Sequence, residues 1–159
     1  MLLRGCINFF PESSDAASMV LRVLRETLKD LDVASTLLQN EPCPTHYGVS
    51  IVDDYFAAAG APKEDFTIII ASRRIETSFG YRIAGETRDR MIVVAGPSIN
   101  TQTVHRLIRH ELGHVFDLPE HPDCVMWHHY IADPSYCATC VSQLKSRQVY
   151  LVGAAAPDP

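Results

Sequence analysis

Apolar positions first gather in the run GCINFF, long enough for one short strand, before Pro11 and the cluster Ser13-Ser14-Asp15 mark a turn able to cap a helix. Met19, Val20, Val23, Leu24, Leu28 and Leu31 then recur at helical spacing while Arg22, Arg25 and Lys29 fall off the stripe. That pattern predicts an amphipathic helix with one face on a core. Val33 to Leu38 reads as a second strand, NEPCPTH as a loop, and Val49 to Ala59 as an Ala-rich helix ending at Gly60. DFTIIIASR is short, apolar and rich in β-branched residues, the composition of a central strand buried on both faces. TSFGYRIAG and RMIVVAG follow as two strand-like runs, and the polar GETRD between them suits the turn of a hairpin. The order is βαβαβββ. A long helix is expected next, starting near Ser98 or Asn100, with Val104, Leu107, Ile108, Leu112, Val115 and Phe116 along one side. Beyond Asp117 the helical pattern stops. Pro119, Pro122 and Pro134 imply a loop-rich segment closed by a short helix around Val141 to Val149.

Composition narrows the class. A chain of 159 residues, 47% of them hydrophobic, can build one domain with a real core but not two ordinary ones. We expect a single domain, with an upper part over 1–116, a lower part over 117–152 and a frayed tail over 153–159. Net charge is -5 with 21% charged residues, which disfavours nucleic acid or an anionic membrane as partner. The apolar runs before Pro11 are too broken for a signal peptide or a membrane span, so a cytoplasmic, monomeric protein is expected. Of five cysteines, three cluster between Cys124 and Cys140, which suits metal ligation better than a disulfide framework. Cys6 and Cys43 remain as buried or idle thiols, and His46 and His105 as ordinary, partly exposed histidines.

The chemistry lies in RHELGHVFDLPEHPDCVMWHH. His110 and His114 are four residues apart, one turn above each other on a helix, so both can reach one Zn2+ at ~2.0 to 2.1 Å. Glu111 projects toward the same pocket, where a carboxylate can take the proton of an attacking water. The plain alternative is a chance H-E-x-x-H on an amphipathic helix. Gly113 weighs against it, because an interior glycine costs ~1 kcal/mol relative to Ala and suggests a close packing partner. Downstream, His121 with Cys124 and Cys137 with Cys140 form two x-x-spaced pairs, the spacing of a structural zinc site that would staple a loop-rich segment. A C-x-x-C redox pair fits less well, since such motifs open a helix after a strand. A nucleic-acid knuckle fits less well too, for no Lys or Arg lies in PDCVMWHHYIADPSYCATC.

HELGH, Cys124-Val125-Met126 and the later CATC together resemble the archaemetzincins, a family of the metzincin clan of zinc peptidases, whose pattern is H-E-x-x-H-x-x-G-x-x-H-C-x-x-x-x-C-x-M followed by a distal C-x-x-C. The resemblance implies an α+β fold: a twisted mixed sheet with an antiparallel edge strand, two backing helices above, the active-site helix beneath, and a small zinc-stapled C-terminal subdomain with a Met-turn at Met126. It implies that TSFGYRI is the edge strand above the cleft. The chain departs from the pattern at four places. Asp117 replaces the helix-ending Gly, although Asp tolerates the left-handed region better than most residues. Glu120 stands where the third zinc-binding His is expected. His121 stands where a Cys is expected, with two residues rather than four before Cys124, and the gap from Met126 to Cys137 is shorter.

Read by position, the catalytic zinc takes His110, His114 and Glu120, and a structural zinc takes His121, Cys124, Cys137 and Cys140. The rival reading makes His121 the third catalytic ligand and leaves the cysteines short of a partner unless His128 or His129 joins them. The positional reading is preferred, because two neutral His and one carboxylate form a well-attested open zinc site. Asp117 would orient a ligand His, Met126 would floor the metal site and Tyr130 would assist the oxyanion. The function implied is a zinc-dependent peptidase acting on peptides or proteins, with Glu111 as general base; a Glu ligand adds negative charge and makes the metal a weaker Lewis acid than three His would. A catalytically silent zinc-binding interaction protein on the same scaffold and a zinc-ribbon nucleic-acid module are the alternatives.

Overall fold

The computed structural model of the chain describes residues 3–9, 11–31, 35–42, 51–61, 65–122, 124–127 and 135–154. Cys43, His46, His128, His129 and Tyr130 lie outside them. Strand β1 (Leu3–Phe9), helix α1 (Ser14–Asp30), β2 (Ser35–Pro42), helix α2 (Val52–Ala59) and β3 (Phe66–Ala71) follow the expected order, and α2 ends at Gly60 with φ 71°. The second strand continues through Pro42 rather than stopping at Leu38, so the start of the expected NEPCPTH loop is strand. β3 is buried at every position and lies in the middle of the sheet.

After β3 the chain departs from expectation. TSFGYRI is not the edge of the main sheet. It forms the tip and second strand of a separate small hairpin, β4 (Ile75–Glu76) with β5 (Arg82–Ile83). The edge strand is β6 (Gly85–Arg88), read above as a turn, and it pairs antiparallel with β7 (Met91–Ala95). The turn is only Asp89-Arg90, with Asp89 at φ 53°, as two-residue hairpins require a positive φ. GETR looks polar because an edge strand needs no fully buried face.

The five-stranded sheet runs β2-β1-β3-β7-β6, parallel except for β6. Side-chain alternation sorts its two faces. Ile68, Ile70, Ile92 and Val94 face α1 and helix α3 (Val104–Val115), while Ile69, Ala71, Met91, Val93 and Ala95 face α2. The two earlier helices therefore do not lie together opposite α3. Connection β1-α1-β2 moves one way across the sheet and β2-α2-β3 moves back, so right-handed crossovers put α1 and α2 on opposite faces.

Helix α3 begins later than expected because Asn100 Oδ1 accepts the amides of Gln102 and Thr103, at 2.9 and 3.1 Å, and holds a turn before Val104. Its apolar side is the predicted one, and Arg109 links it to α1 through Thr27 Oγ1 at 3.1 Å. The closing helix α4 (Ala138–Ala154) is longer than predicted at both ends. Cys124, Val125, Met126, Cys140 and Leu144 join the same apolar cluster as the sheet and α1, so one core runs through both halves of the chain.

Candidate metal centre

His110 and His114 stack edge to face on α3, ring centroids 4.8 Å apart. Each Nδ1 faces a main-chain carbonyl, Val125 O at 2.7 Å and Leu118 O at 2.9 Å. A carbonyl only accepts, so both Nδ1 atoms carry the proton and both Nε2 atoms keep a free lone pair. The acceptors are supplied by the turn that ends the helix. Asp117 takes φ 59°, Leu118 N bonds Gly113 O at 3.0 Å and Asp117 N bonds His114 O at 3.0 Å, a Schellman closure. Asp117 thus contributes the left-handed backbone of this turn, and the carbonyls of Val125 and Leu118 are what face the two ring Nδ1 atoms.

That turn swings Glu120 back under the helix. Its Oε1 lies 3.2 Å from His110 Nε2 and 3.2 Å from His114 Nε2, and the two Nε2 atoms are 3.2 Å apart. A tetrahedral ion with bonds of ~2.0 Å spaces its ligands by about 3.3 Å, so the three donors are already set for one zinc-sized ion with a corner left open. Their ligand atoms form one of two such groups among the described residues.

The other group is His121, Cys124, Cys137 and Cys140, with ligand atoms within 4.8 Å of one another. Cys124 Sγ and Cys140 Sγ are 3.8 Å apart, too far for a disulfide and close to the edge of about 3.8 Å that Zn–S bonds of ~2.3 Å give. Cys137 sits just before α4 and Cys140 in its first turn. Burial pushes the Cys137 thiol up, but hydrogen bonds from the Cys140 amide and from the Cys140 and Cys124 thiols outweigh it, and the net shift is downward. Cys140 is pushed up to about 12, by burial first and then by its two cysteine neighbours. Glu120 and His121, adjacent in the chain, belong to different groups.

Glu111 is the buried acid among the described residues, 5% exposed, and Thr87 of β6 donates to its Oε2 at 2.6 Å. Burial lifts its carboxyl above the ordinary carboxylate range, against the opposing pull of Thr87, His110 and His114. Register explains the contact. Gly85 and Thr87 pair with Val94 and Ile92, whose side chains face α3, so both point at the helix. A Cβ on Gly85 would stand 3.3 Å from Glu111 Cγ, which shows how closely β6 and α3 approach. Thr87 was invisible in the sequence, though the alternation Gly-x-Thr before a two-residue turn was a usable sign of a strand face. Between β6 and α3 opens a cleft of about 680 Å3 lined by both Thr87 and Glu111 as well as His110, His114 and Glu120.

Met126 is fully buried beneath α3, in a turn closed by Trp127 N to Cys124 O at 3.0 Å. A Cβ on Gly113 would fall 2.3 Å from its Sδ. The glycine in HELGH is there for this sulfur. Tyr136 pins the lower chain to α3 by donating to Arg109 O. His105 is a partly exposed residue 3.2 Å from Glu26, and Cys6 is a buried thiol whose Sγ donates to Asn8 Oδ1 at 3.2 Å. No helix among the described residues is long and apolar enough to cross a membrane.

A mixed α/β architecture with a mixed sheet, a cleft under its antiparallel edge and two metal-competent clusters sets the class, and the chain has the archaemetzincin fold. It superposes on the crystal structure of archaemetzincin from Methanopyrus kandleri with a TM-score of 0.72, over 92% of this chain and 96% of that one, at 19% identity. It superposes on archaemetzincin from Archaeoglobus fulgidus, crystallised with malonate, with a TM-score of 0.65 over 89% and 99% at 16% identity. No protein-family model matches the chain, and no curated protein matches it.

Proposed function

We infer that the protein is a zinc-dependent peptidase of archaemetzincin type. The observation carrying this is Glu111: a carboxylate buried at a cost to the fold, fixed by Thr87, beside three donors that converge on an open corner. A silent zinc-binding protein has no use for such a group. His110, His114 and Glu120 would hold the catalytic ion, and His121, Cys124, Cys137 and Cys140 a structural one, with Met126 as the Met-turn. Zinc bound at the first site supplies the Lewis acidity that makes water a usable nucleophile near neutral pH and polarises the scissile carbonyl. Thr87 occupies Glu111 Oε2, which leaves Oε1 to take the proton of the attacking water and return it to the departing amine. The free edge of β6 receives the peptide as an added antiparallel strand, the pairing slightly more stable per residue than the parallel one.

Glu111→Gln should lower kcat for a cleaved peptide by about 10²- to 10⁴-fold with zinc still bound. Turnover that survives the change sinks the mechanism. Metal analysis should find two zinc ions per chain, Glu120→Ala losing one and His121→Ala the other. A single ion lost with His121 would overturn the split assignment.

A further inference from the structure

Beside the cleft lies a second recess of about 270 Å3, lined by Arg74, Arg82 and Ser98 over an apolar floor that includes Ile75 and Pro97. Its lining contains no acidic side chain, whereas the cleft is lined by Glu86, Asp89, Asp117 and Glu120. Both arginines are exposed, and among the described residues neither is in ion-pair contact with a carboxylate, the nearest in register being Glu76, opposite Arg82 across the β4–β5 pair. In a chain of net charge -5, two unpaired guanidiniums in one concavity make a local positive field. The recess and the cleft share Ile83 and Ala84, so one extended ligand can occupy both.

Chain direction decides which end of a peptide arrives there. β6 runs from Gly85 to Arg88, and its Gly85 end continues back through Ala84 and Ile83 to Arg82. A peptide laid antiparallel on β6 runs from Arg88 toward Gly85, so its C-terminal side passes the recess. Glu111 lies level with Gly85 and Thr87. At ~3.3 Å per residue and with a bend at Ala84, Arg82 lies no more than about 10 Å from Gly85, within reach of the second to fourth residue after the scissile bond. A guanidinium offers a planar fork of N–H donors matched to a carboxylate.

We propose that the Arg74–Arg82 recess is a subsite for a carboxylate on the C-terminal side of the cleaved bond, supplied by an acidic side chain or by the peptide's own C-terminus. The assignment rests on the peptidase reading and names the substrate class: short or acidic-tailed peptides. The test walks Glu, against Gln, over the four positions after the scissile bond of a cleaved peptide, each with free and with amidated C-terminus. At one of them Glu, or the free terminus, should raise kcat/KM about three- to tenfold through KM, the size of one or two partly exposed ion pairs. Arg74→Gln/Arg82→Gln should erase that preference while cleavage of the neutral amidated peptide and zinc content stay unchanged. A preference that survives the double substitution, an acidic preference on the N-terminal side, or none at all overturns the proposal. Anisotropy of the same peptides, fluorescein-labelled, needs no turnover and separates the two readings. Arg-dependent binding of acidic peptides without cleavage keeps the subsite and sinks the peptidase; cleavage without acid dependence does the reverse.

Discussion

Thr87 does for Glu111 what Val125 O and Leu118 O do for the two histidines: it holds one polar atom of the side chain and so fixes how the rest of it faces the cleft. Thr87→Val keeps the shape and removes the donor, so kcat should fall by about tenfold with KM and zinc content steady, and Thr87→Ser should keep most of the rate. Equal kcat in the valine variant would remove Thr87 from the mechanism. The cysteine site makes a different residue-scale prediction. With Cys140 raised to about 12, that thiol is protonated at neutral pH without metal and must release its proton on ligation, so zinc affinity there should climb as pH rises. Calorimetry in buffers of different ionisation enthalpy measures the release. His110, Glu111 and His114 were legible because helical spacing is local, and Glu120 was preferred to His121 because two His and one carboxylate make an attested open zinc site. Thr87 was not, since its partner lies 24 residues away and its neighbours are all polar.

At the level of elements, α3 is a poor helix made necessary by what passes beneath it. Gly113→Ala gains about 1 kcal/mol of helix propensity. Its new methyl, however, would meet Met126 Sδ at 2.3 Å inside a packed core, and overpacking of that kind costs about 1–3 kcal/mol. The packing loss is the larger, so Tm should drop by about 2–4 °C per kcal/mol of the difference; a raised Tm would mean that Met126 moves aside freely. The sequence carried the need for a glycine but not its partner, thirteen positions downstream. Edge strand β6 was misread for the opposite reason. Its residues Glu86 and Arg88 are polar and pair with each other, and Arg88 also pairs with Asp53 of α2 and lies 4.4 Å from the Phe56 ring centre, so no hydrophobic run marked it.

For the whole molecule, strand order was the part hidden from the sequence. Periodicity identified the helices and the buried β3, yet which face each helix covers depends on where the next strand returns, and only the β2-β1-β3-β7-β6 order decides that. The two metal-competent clusters also differ in exposure: Glu120 is exposed, whereas Cys124 and Cys140 are buried beside Met126. A chelator should therefore strip the open site first and abolish turnover while near-native structure persists, with unfolding following only as the cysteine site empties. Simultaneous loss of activity and fold at one chelator concentration would argue against that order. 

Glu120 and His121, neighbours in the chain, serve separate clusters. Their Cα atoms can be no more than about 3.8 Å apart, so the two centres have no slack between them. This junction should tolerate no insertion. One extra residue would force one cluster to surrender its donor, and a library of single-residue insertions across 116–127 should find its sharpest loss of zinc there.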